Sequence, residues 1–340
     1  MAQLTTSLAI MRSNIVIVVF IVVFQNFISM QSAAESDISV MTFNLRLAAI
    51  KNVETNEYEL ADESSGNEWN KRKGYVIDAI TSKLPDILAL QEMSYAGPEF
   101  NDPRVYVRNN LSNHYAVYKG IGGSPKDIFY KSEKLVIDIN NSGKDYIWPD
   151  SRSKLCPGPD GTGSTRSITW ATFFDIKLGN KIFVVNAHLH AGGKDTSVRI
   201  KQLECVRKYI KENSLGMAVV LMGDLNSRYS GYEVCSVEKG FTANQLPLFD
   251  ASGKSSESTF NGFCVECRLD KKLDYIFLRG MEVVGESEIV QYSYYDDIDQ
   301  KNRWPSDHFP VYAELNFHHD ASYVNLENSP CNKNGFSLFW

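Results

Sequence analysis

The chain has 340 residues, 43% of them hydrophobic and 22% charged, an ordinary globular composition with material for one large core. With 35 Lys and Arg against 41 Asp and Glu, its net charge is −6, which argues against a protein that holds nucleic acid by neutralising phosphates at large. No Pro- or Ser-rich linker and no internal repeat divides it, so one domain with long loops is the expectation.

The N-terminus reads as an address rather than as part of the fold. Arg12 precedes an unbroken apolar run from Ile15 to Phe24, and small residues Ser32, Ala33 and Ala34 follow. Basic residue, short apolar core and small-residue site, in that order, predict a secretory signal over residues 1–34 and an extracellular protein. A signal anchor is the rival, disfavoured because strand-like sequence begins at Ile38 and leaves almost no stalk. Loss of Arg12 would leave 34 bases against 41 acids, a net charge of −7. A catalytic domain is expected over 35–317 and a tail over 318–340.

Apolar, β-branched or aromatic stretches then predict strands at Ser39–Leu47, Ile87–Gln91, Ile128–Lys131, Ile168–Ile176, Lys181–His190, Ala218–Gly223, Leu273–Leu278 and Pro310–Leu315. Helical patterns cover Lys71–Lys83, with Val76, Ala79 and Ile80 on one stripe, and Val198–Ile210, with Leu203, Val206 and Ile210 on another. Near-continuous apolar strands such as Ala218-Val-Val-Leu-Met imply burial on both faces, and strands covered by helices while packed on other strands imply an α/β sandwich. Asn52–Asn67, Asn140–Thr165 and Gln291–Ser306 read as long loops. Trp69 and Arg72, opening the first helix, read as packing and surface residues.

All six cysteines (Cys156, Cys205, Cys235, Cys264, Cys267, Cys331) lie beyond the signal, an even count that suggests disulfides in an exported chain, with 15 pairings open. Cys331 is expected to staple the tail to the domain. Cys264 and Cys267 could also form half a zinc site, but no second pair or nearby histidine completes it. Asn110-Leu-Ser and Asn140-Asn-Ser are glycosylation sequons.

The chemistry lies where polar residues interrupt apolar strands. Val40-Met-Thr-Phe reaches Asn44, Ile87-Leu-Ala-Leu-Gln reaches Glu92, Phe183-Val-Val-Asn-Ala reaches His188, and Val219-Val-Leu-Met-Gly reaches Asp224 and Asn226. Ser306 precedes Asp307 and His308. Taken singly, an Asp or Asn after a strand is a turn residue or cap. Five such endings in one chain are another matter, because buried charges are costly unless paired or metal-bound. Glu92, Asp307 and the carboxamide of Asn44 offer the oxygen ligands that Mg²⁺ prefers. Two histidines and a further carboxylate remain for proton transfer, the set that phosphoester cleavage requires.

Six short motifs occur in one order: Thr42-Phe-Asn-Leu-Arg46, Leu90-Gln-Glu92, Asn186-Ala-His-Leu-His190, Gly223-Asp-Leu-Asn226, Leu273-Asp-Tyr-Ile276 and Ser306-Asp-His308. In them the chain resembles the endonuclease/exonuclease/phosphatase superfamily, from about Ser39 to Leu315. The resemblance implies a DNase I-like fold, a four-layer α/β sandwich of two packed, mostly antiparallel sheets flanked by helices. It implies Mg²⁺, with Mn²⁺ able to substitute, held by Glu92 with Asn44 and Asp307 close by. It makes Asp224, helped by Asn226, the group that orients or deprotonates water. It places His308 on the phosphate with Asp274 fixing its tautomer, and gives His188 charge stabilisation or leaving-group protonation. Arg166 and His190 are weaker candidates for substrate contact, and Arg46 reads equally well as a salt bridge at the edge of the core. A zinc site on His188-Leu-His190 lacks further ligands downstream.

The expected substrate is a phosphoester of nucleic acid or of a phospholipid headgroup. A secreted phosphodiesterase or nuclease is favoured over a sphingomyelinase-type enzyme or a phosphomonoesterase. Tyr292, Tyr294, Tyr295 and Trp304 suit an interface or stacked bases, whereas the three aspartates among them oppose docking on anionic lipid. A non-catalytic binding module on the same fold is the alternative of another class. No stable protein partner is implied, and a monomer is expected.

Overall fold

The computed structural model describes residues 36–324 apart from 53, 56, 95–101, 149, 159–165, 193–195, 229–230, 240–247, 252–256 and 268. The expected signal segment and Cys331 lie outside the described residues. From Asp37 onward the chain forms one compact unit.

That unit opens with β1 (Ile38–Asn44), a ribbon of β2 (Ala49–Lys51) and β3 (Tyr58–Leu60), helix α1 (Trp69–Thr81) and β4 (Ile87–Gln91). Helix α2 (Pro103–Leu111) leads to β5 (Ala116–Tyr118), β6 (Ile128–Tyr130) and the long β7 (Leu135–Ile147). Then come β8 (Arg166–Asp175), β9 (Lys181–His188), helix α3 (Thr196–Asn213), β10 (Ala218–Asp224) and helix α4 (Tyr232–Lys239). The remainder holds β11 (Phe249–Asp250), β12 (Asp274–Arg279), β13 (Met281–Val283), β14 (Glu288–Ile289), β15 (Tyr294–Asp296), β16 (Lys301–Arg303) and β17 (Val311–Phe317).

One sheet runs β13-β17-β1-β4-β6-β5, with β14 also on β17; the other runs β11-β12-β10-β9-β8-β7. The pairs β1–β4 and β9–β10 are parallel, and their neighbours are antiparallel. Three apolar clusters divide the fold into layers. Ile38, Val40, Ile87 and Ala89 of the first sheet meet Ile182, Val184, Val220, Met222, Ile276 and Leu278 of the second. Met41, Phe43, Leu88 and Leu90 point the other way, onto Val76, Ala79 and Ile80 of α1 and Val107 of α2. Phe183, Val185, Val219 and Leu221 face Leu203, Val206 and Ile210 of α3. The expected four-layer sandwich is the observed architecture, and each fully buried Val, Leu, Ile, Phe or Met side chain contributes about 1.5–3 kcal/mol by leaving water.

The period-two alternation of a strand decides what enters the space between the sheets. In β1 the inward series Ile38, Val40, Thr42 continues to Asn44; in β4, Ile87 and Ala89 continue to Gln91. In β9, Ile182 and Val184 continue to Asn186 and His188, in β10 Val220 and Met222 continue to Asp224, and β12 begins inward at Asp274. The polar residues therefore share the inner face at one end of the sandwich. A buried polar layer precedes them: Gln91 Nε2 donates to Asn186 Oδ1 at 2.8 Å and to Thr42 Oγ1 at 3.0 Å, and Asn186 Nδ2 donates to the Leu90 carbonyl at 2.9 Å.

Three sequence expectations need correction. Residues 140–147, read as the start of a loop, complete β7. The polar run Asn140-Asn-Ser resembles a turn, but it is a bulge: pairing with β8 slips between Asp138 and Gly143, and Asn141 Nδ2 is tied to Thr172 Oγ1 at 3.0 Å. Gly143 lies flat on Trp170, where an added Cβ would fall 2.3 Å from the ring. Of the other two long loops, 52–67 holds β3, which pairs with β2 just before it, and 291–306 carries the β15–β16 ribbon. Arg72 is no surface residue. Together with Trp69 it is fully buried, its guanidinium 5.1 Å from the indole centroid.

Disulfides join Cys156 to Cys205, tying the segment after β7 to α3, and Cys264 to Cys267, which closes the half-site considered for zinc; Cys235 is disulfide-bonded too. Asn110 and Asn140 of the two sequons are exposed. Among the described residues no helix is long and apolar enough to cross a membrane.

Candidate active site

Register puts three functional side chains side by side. Asp224 is directly opposite His188 on its parallel neighbour and directly opposite Asp274 on its antiparallel one. Asn44 reaches the same point from the facing sheet, its Nδ2 donating to Asp224 Oδ2 at 2.9 Å and to Glu92 Oε1 at 3.2 Å. His188 Nε2 stands 3.5 Å from Asp224 Oδ2 and 3.9 Å from Glu92 Oε1. His308, held in a bridge to Phe260, brings Nδ1 to 2.8 Å from Asp274 Oδ2 and Nε2 to 3.9 Å from Asp224 Oδ2. Ser306 Oγ donates to the Asn44 carbonyl at 2.7 Å, fixing the Ser-Asp-His segment to the end of β1.

The backbone bends to make these approaches. Arg46, Glu92 and Asn226 all have positive φ, at 57°, 58° and 49°. Such conformations cost non-glycine residues about 1 kcal/mol or more each. The bend at Glu92 lets its Oε2 accept from the Leu47 N–H at 2.8 Å. The bend at Asn226 lets its N–H donate to Asp224 Oδ1 at 2.8 Å while its Nδ2 donates to the Leu189 carbonyl at 3.0 Å. Asn226 thus holds the carboxylate of Asp224 through its main chain.

Arg72 is the brace behind the site. Its guanidinium donates to the carbonyls of Leu45 (2.5 Å), Arg46 (2.7 Å), Asn67 (3.0 Å), Pro305 (3.1 Å) and Leu47 (3.2 Å). One buried side chain thereby joins the loop after Asn44 to the loop before Asp307. Arg46 in turn donates from Nε to Asp62 Oδ2 at 2.9 Å and lies 3.7 Å from Asp307 Oδ2.

Burial and neighbouring charge divide the titrating groups. His308 is buried, which disfavours its cation, but the charge and hydrogen bond of Asp274, then Asp307 and Asp224, outweigh this and raise its pKa well above 6.5. His188 goes the other way: burial first, then the charges of Arg166, Lys126 and His308, hold it well below 6.5. Asp224 is raised from its ordinary value by burial and by Asp274, against His308 and the donors of Asn226 and Asn44. Asp307 is raised by burial and by Glu92, against His308 and Arg46.

Two donor sets could hold a metal. Ligand atoms of Asp224, Asp274 and His308 lie within 4.8 Å of one another. In that group Asp274 Oδ2 is already engaged with His308 Nδ1 at 2.8 Å. Glu92 and Asp307 form the better set. They are two largely buried carboxylates, close enough that the charge of Glu92 raises the pKa of Asp307. An oxygen-rich pair of this kind suits a hard divalent cation. The Asn44 amide turns Nδ2 to Glu92 and leaves Oδ1 to accept the Arg46 N–H at 3.0 Å. In that orientation Asn44 holds both Glu92 and Asp224 through its amide N–H groups.

Beside this cage is a cavity of about 200 Å³ lined by Leu47, Glu92, Ile121, Gly122, Gly123, Ser124, Lys126, Tyr146, Arg166, Ser167 and His188. Arg166 thus reaches the site, its Nε donating to the Leu189 carbonyl at 3.0 Å. His190 forms no part of the cavity wall, and its main chain is anchored to α3, with N–H donating to Gln202 Oε1 at 2.9 Å. Lys126 was not foreseen. It precedes its strand instead of ending it, so a search for polar strand ends passes it by.

Inner-face carboxylates and imidazoles closing one end of a two-sheet sandwich define a hydrolase of phosphoric ester bonds. The chain belongs to the Endonuclease/Exonuclease/phosphatase family, which residues 41–308 match. Its fold is similar to that of a mannosyl-6-phosphatase from Bacteroides thetaiotaomicron (TM-score 0.66, 23% identity, 82% of this chain and 100% of that one). It is also similar to the human Nocturnin catalytic domain (0.57, 16%, 82% and 94%) and to D. rerio TDP2 complexed with single-strand DNA product (0.57, 18%, 82% and 98%). No curated protein sequence matches it.

Proposed function

We propose that the chain is an exported, Mg²⁺-dependent hydrolase of a small anionic phosphoester. The observation that carries this is the meeting of Asp224, the Asp274–His308 pair and His188 with the Glu92–Asp307 carboxylates at one end of the sandwich. Mg²⁺ on Glu92 and Asp307 would supply positive charge to the phosphoryl oxygens. Asp224, fixed by Asn44 and the Asn226 N–H, is the acceptor for a proton of the attacking water. His308, kept charged by Asp274, faces the oxygens on which charge gathers. His188, kept neutral, offers an Nε2–H hydrogen bond to the same phosphate or to the leaving oxygen. Attack and departure in line need donors and acceptors on both sides of phosphorus, and these residues come from both sheets.

The cavity of about 200 Å³, partly open to solvent, has the size for a small ester rather than a duplex. A single-stranded nucleic acid is the second reading, supported by the half-exposed Tyr295 on the β15–β16 ribbon. Export is supported by the order Arg12, Ile15–Phe24, Ser32-Ala-Ala34, and N-terminal sequencing of protein recovered from culture medium tests it.

Purified protein should hydrolyse bis-p-nitrophenyl phosphate or p-nitrophenyl phosphate with Mg²⁺ or Mn²⁺ and lose the activity in EDTA. Full activity in EDTA, or recovery with zinc alone, overturns the metal assignment. The same screen offered DNA, RNA, sphingomyelin and inositol phosphates ranks the substrates.

A further inference from the structure

Lys126 is 4% exposed, and lysine is almost never buried without a counter-charge. Its ammonium donates to the Ser124 carbonyl at 2.7 Å, one of the three hydrogen bonds it can make, and among the described residues it forms no ion pair. Arg166 lines the same cavity, largely buried as well. The carboxylate on their wall is Glu92, whose charge favours both cations; in the functional reading above it is taken up by Mg²⁺, which leaves the positive charge of the recess to a further anion.

We propose that the Lys126–Arg166 end of this cavity is a second anion subsite, contiguous with the catalytic cage, that selects phosphoesters carrying a further anionic group beside the scissile phosphate. The proposal rests on the functional reading above, in which Glu92 and His188, on the wall of the same cavity, flank that phosphate.

The recess is a built feature. Asp127 Oδ1 accepts the Gly120 N–H at 2.9 Å and its Oδ2 binds Arg108 Nε at 2.7 Å, which closes the loop that forms the rim. Gly120 is required for that closure, because an added Cβ would fall 2.5 Å from the main-chain nitrogen of Lys126. At about 30 Å³ per water, the cavity has room for roughly six waters, or a phosphate with a small acidic substituent. Burial, with the charge of Arg166 against it and that of Glu92 in its favour, lowers the Lys126 pKa to about 7. Such an ammonium is poised to be stabilised by an incoming anion.

The test is a calorimetric titration of the Mg²⁺-supplied protein with 2-phosphoglycolate and with ethyl phosphate, which lacks the carboxylate. The wild type should bind 2-phosphoglycolate at least about tenfold more tightly, the gain expected from one charge-assisted hydrogen bond. Lys126→Met should erase that preference. So should Gly123→Glu, which adds a carboxylate at the rim, at a position where an added Cβ meets nothing within 4 Å. Equal binding of the two ligands by wild type, or a preference kept in Gly123→Glu and in folded Lys126→Met, overturns the subsite. Binding is read without turnover, so a protein that prefers 2-phosphoglycolate yet hydrolyses nothing overturns the proposed function and leaves the subsite standing.

Discussion

Asp274→Asn isolates the charge that governs His308. Asp274 is fully buried with Oδ2 2.8 Å from His308 Nδ1, and its main-chain N–H donates to Thr259 Oγ1 at 3.0 Å. The substitution keeps volume and backbone contact and removes only the carboxylate. Burial alone would discharge His308, and Asp274 is the foremost group opposing it. A buried hydrogen bond to a charged group contributes about 1.5–3 kcal/mol, or about tenfold to 150-fold in rate if it is expressed in the transition state. A ring free to adopt the wrong tautomer adds to this, so turnover should fall at least about a hundredfold, the lower end for a positioned acid–base group. The alkaline limb of kcat/KM should shift to lower pH. Stability follows the same linkage. A raised folded pKa contributes stability that is full below the unfolded value near 6.5 and is lost as pH rises through the folded value. The variant should therefore be less stable than wild type at pH 6 and approach it only at alkaline pH. Rate profiles with bis-p-nitrophenyl phosphate and urea melts at pH 6 and 9 measure both. Turnover within threefold of wild type with an unmoved alkaline limb would refute the role given to the pair.

Asp224→Asn and His308→Ala should each cost at least about a hundredfold in turnover, as expected for positioned acid–base groups; near-native turnover of Asp224→Asn with good metal occupancy defeats the mechanism. His188→Ala should slow an alkyl ester more than a p-nitrophenyl ester, since only the poorer leaving group needs a hydrogen bond, and equal losses would make it a binding residue. Arg72→Met leaves five backbone carbonyls without their donor and should lower stability by at least about 3 kcal/mol in urea melts, with a change under about 1 kcal/mol counting against the brace. Peptide mapping without reduction should recover Cys156 with Cys205 and Cys264 with Cys267, and a free Cys331 thiol would remove the expected staple of the tail.

Local residue pattern was enough to set the layers and the end of the sandwich where the chemistry sits. Alternation is a local property. Once Ile38 and Val40 are buried between sheets, Asn44 must follow them inward, and the same counting places His188 after Ile182 and Val184 and Asp224 after Val220 and Met222. Local pattern could not reveal what depends on partners distant in the chain. The run Asn140-Asn-Ser reads as the start of a loop because the bulge that absorbs it is defined by Thr172 and Trp170 on the neighbouring strand. Arg72 reads as a surface arginine because the carbonyls that satisfy it, from Leu45 to Pro305, gather only when two loops meet. Lys126 carries no sign in its own neighbourhood that Arg166, 40 residues on, shares its cavity. Burial of polar groups is tolerated only where partners converge, and that convergence belongs to the tertiary structure alone.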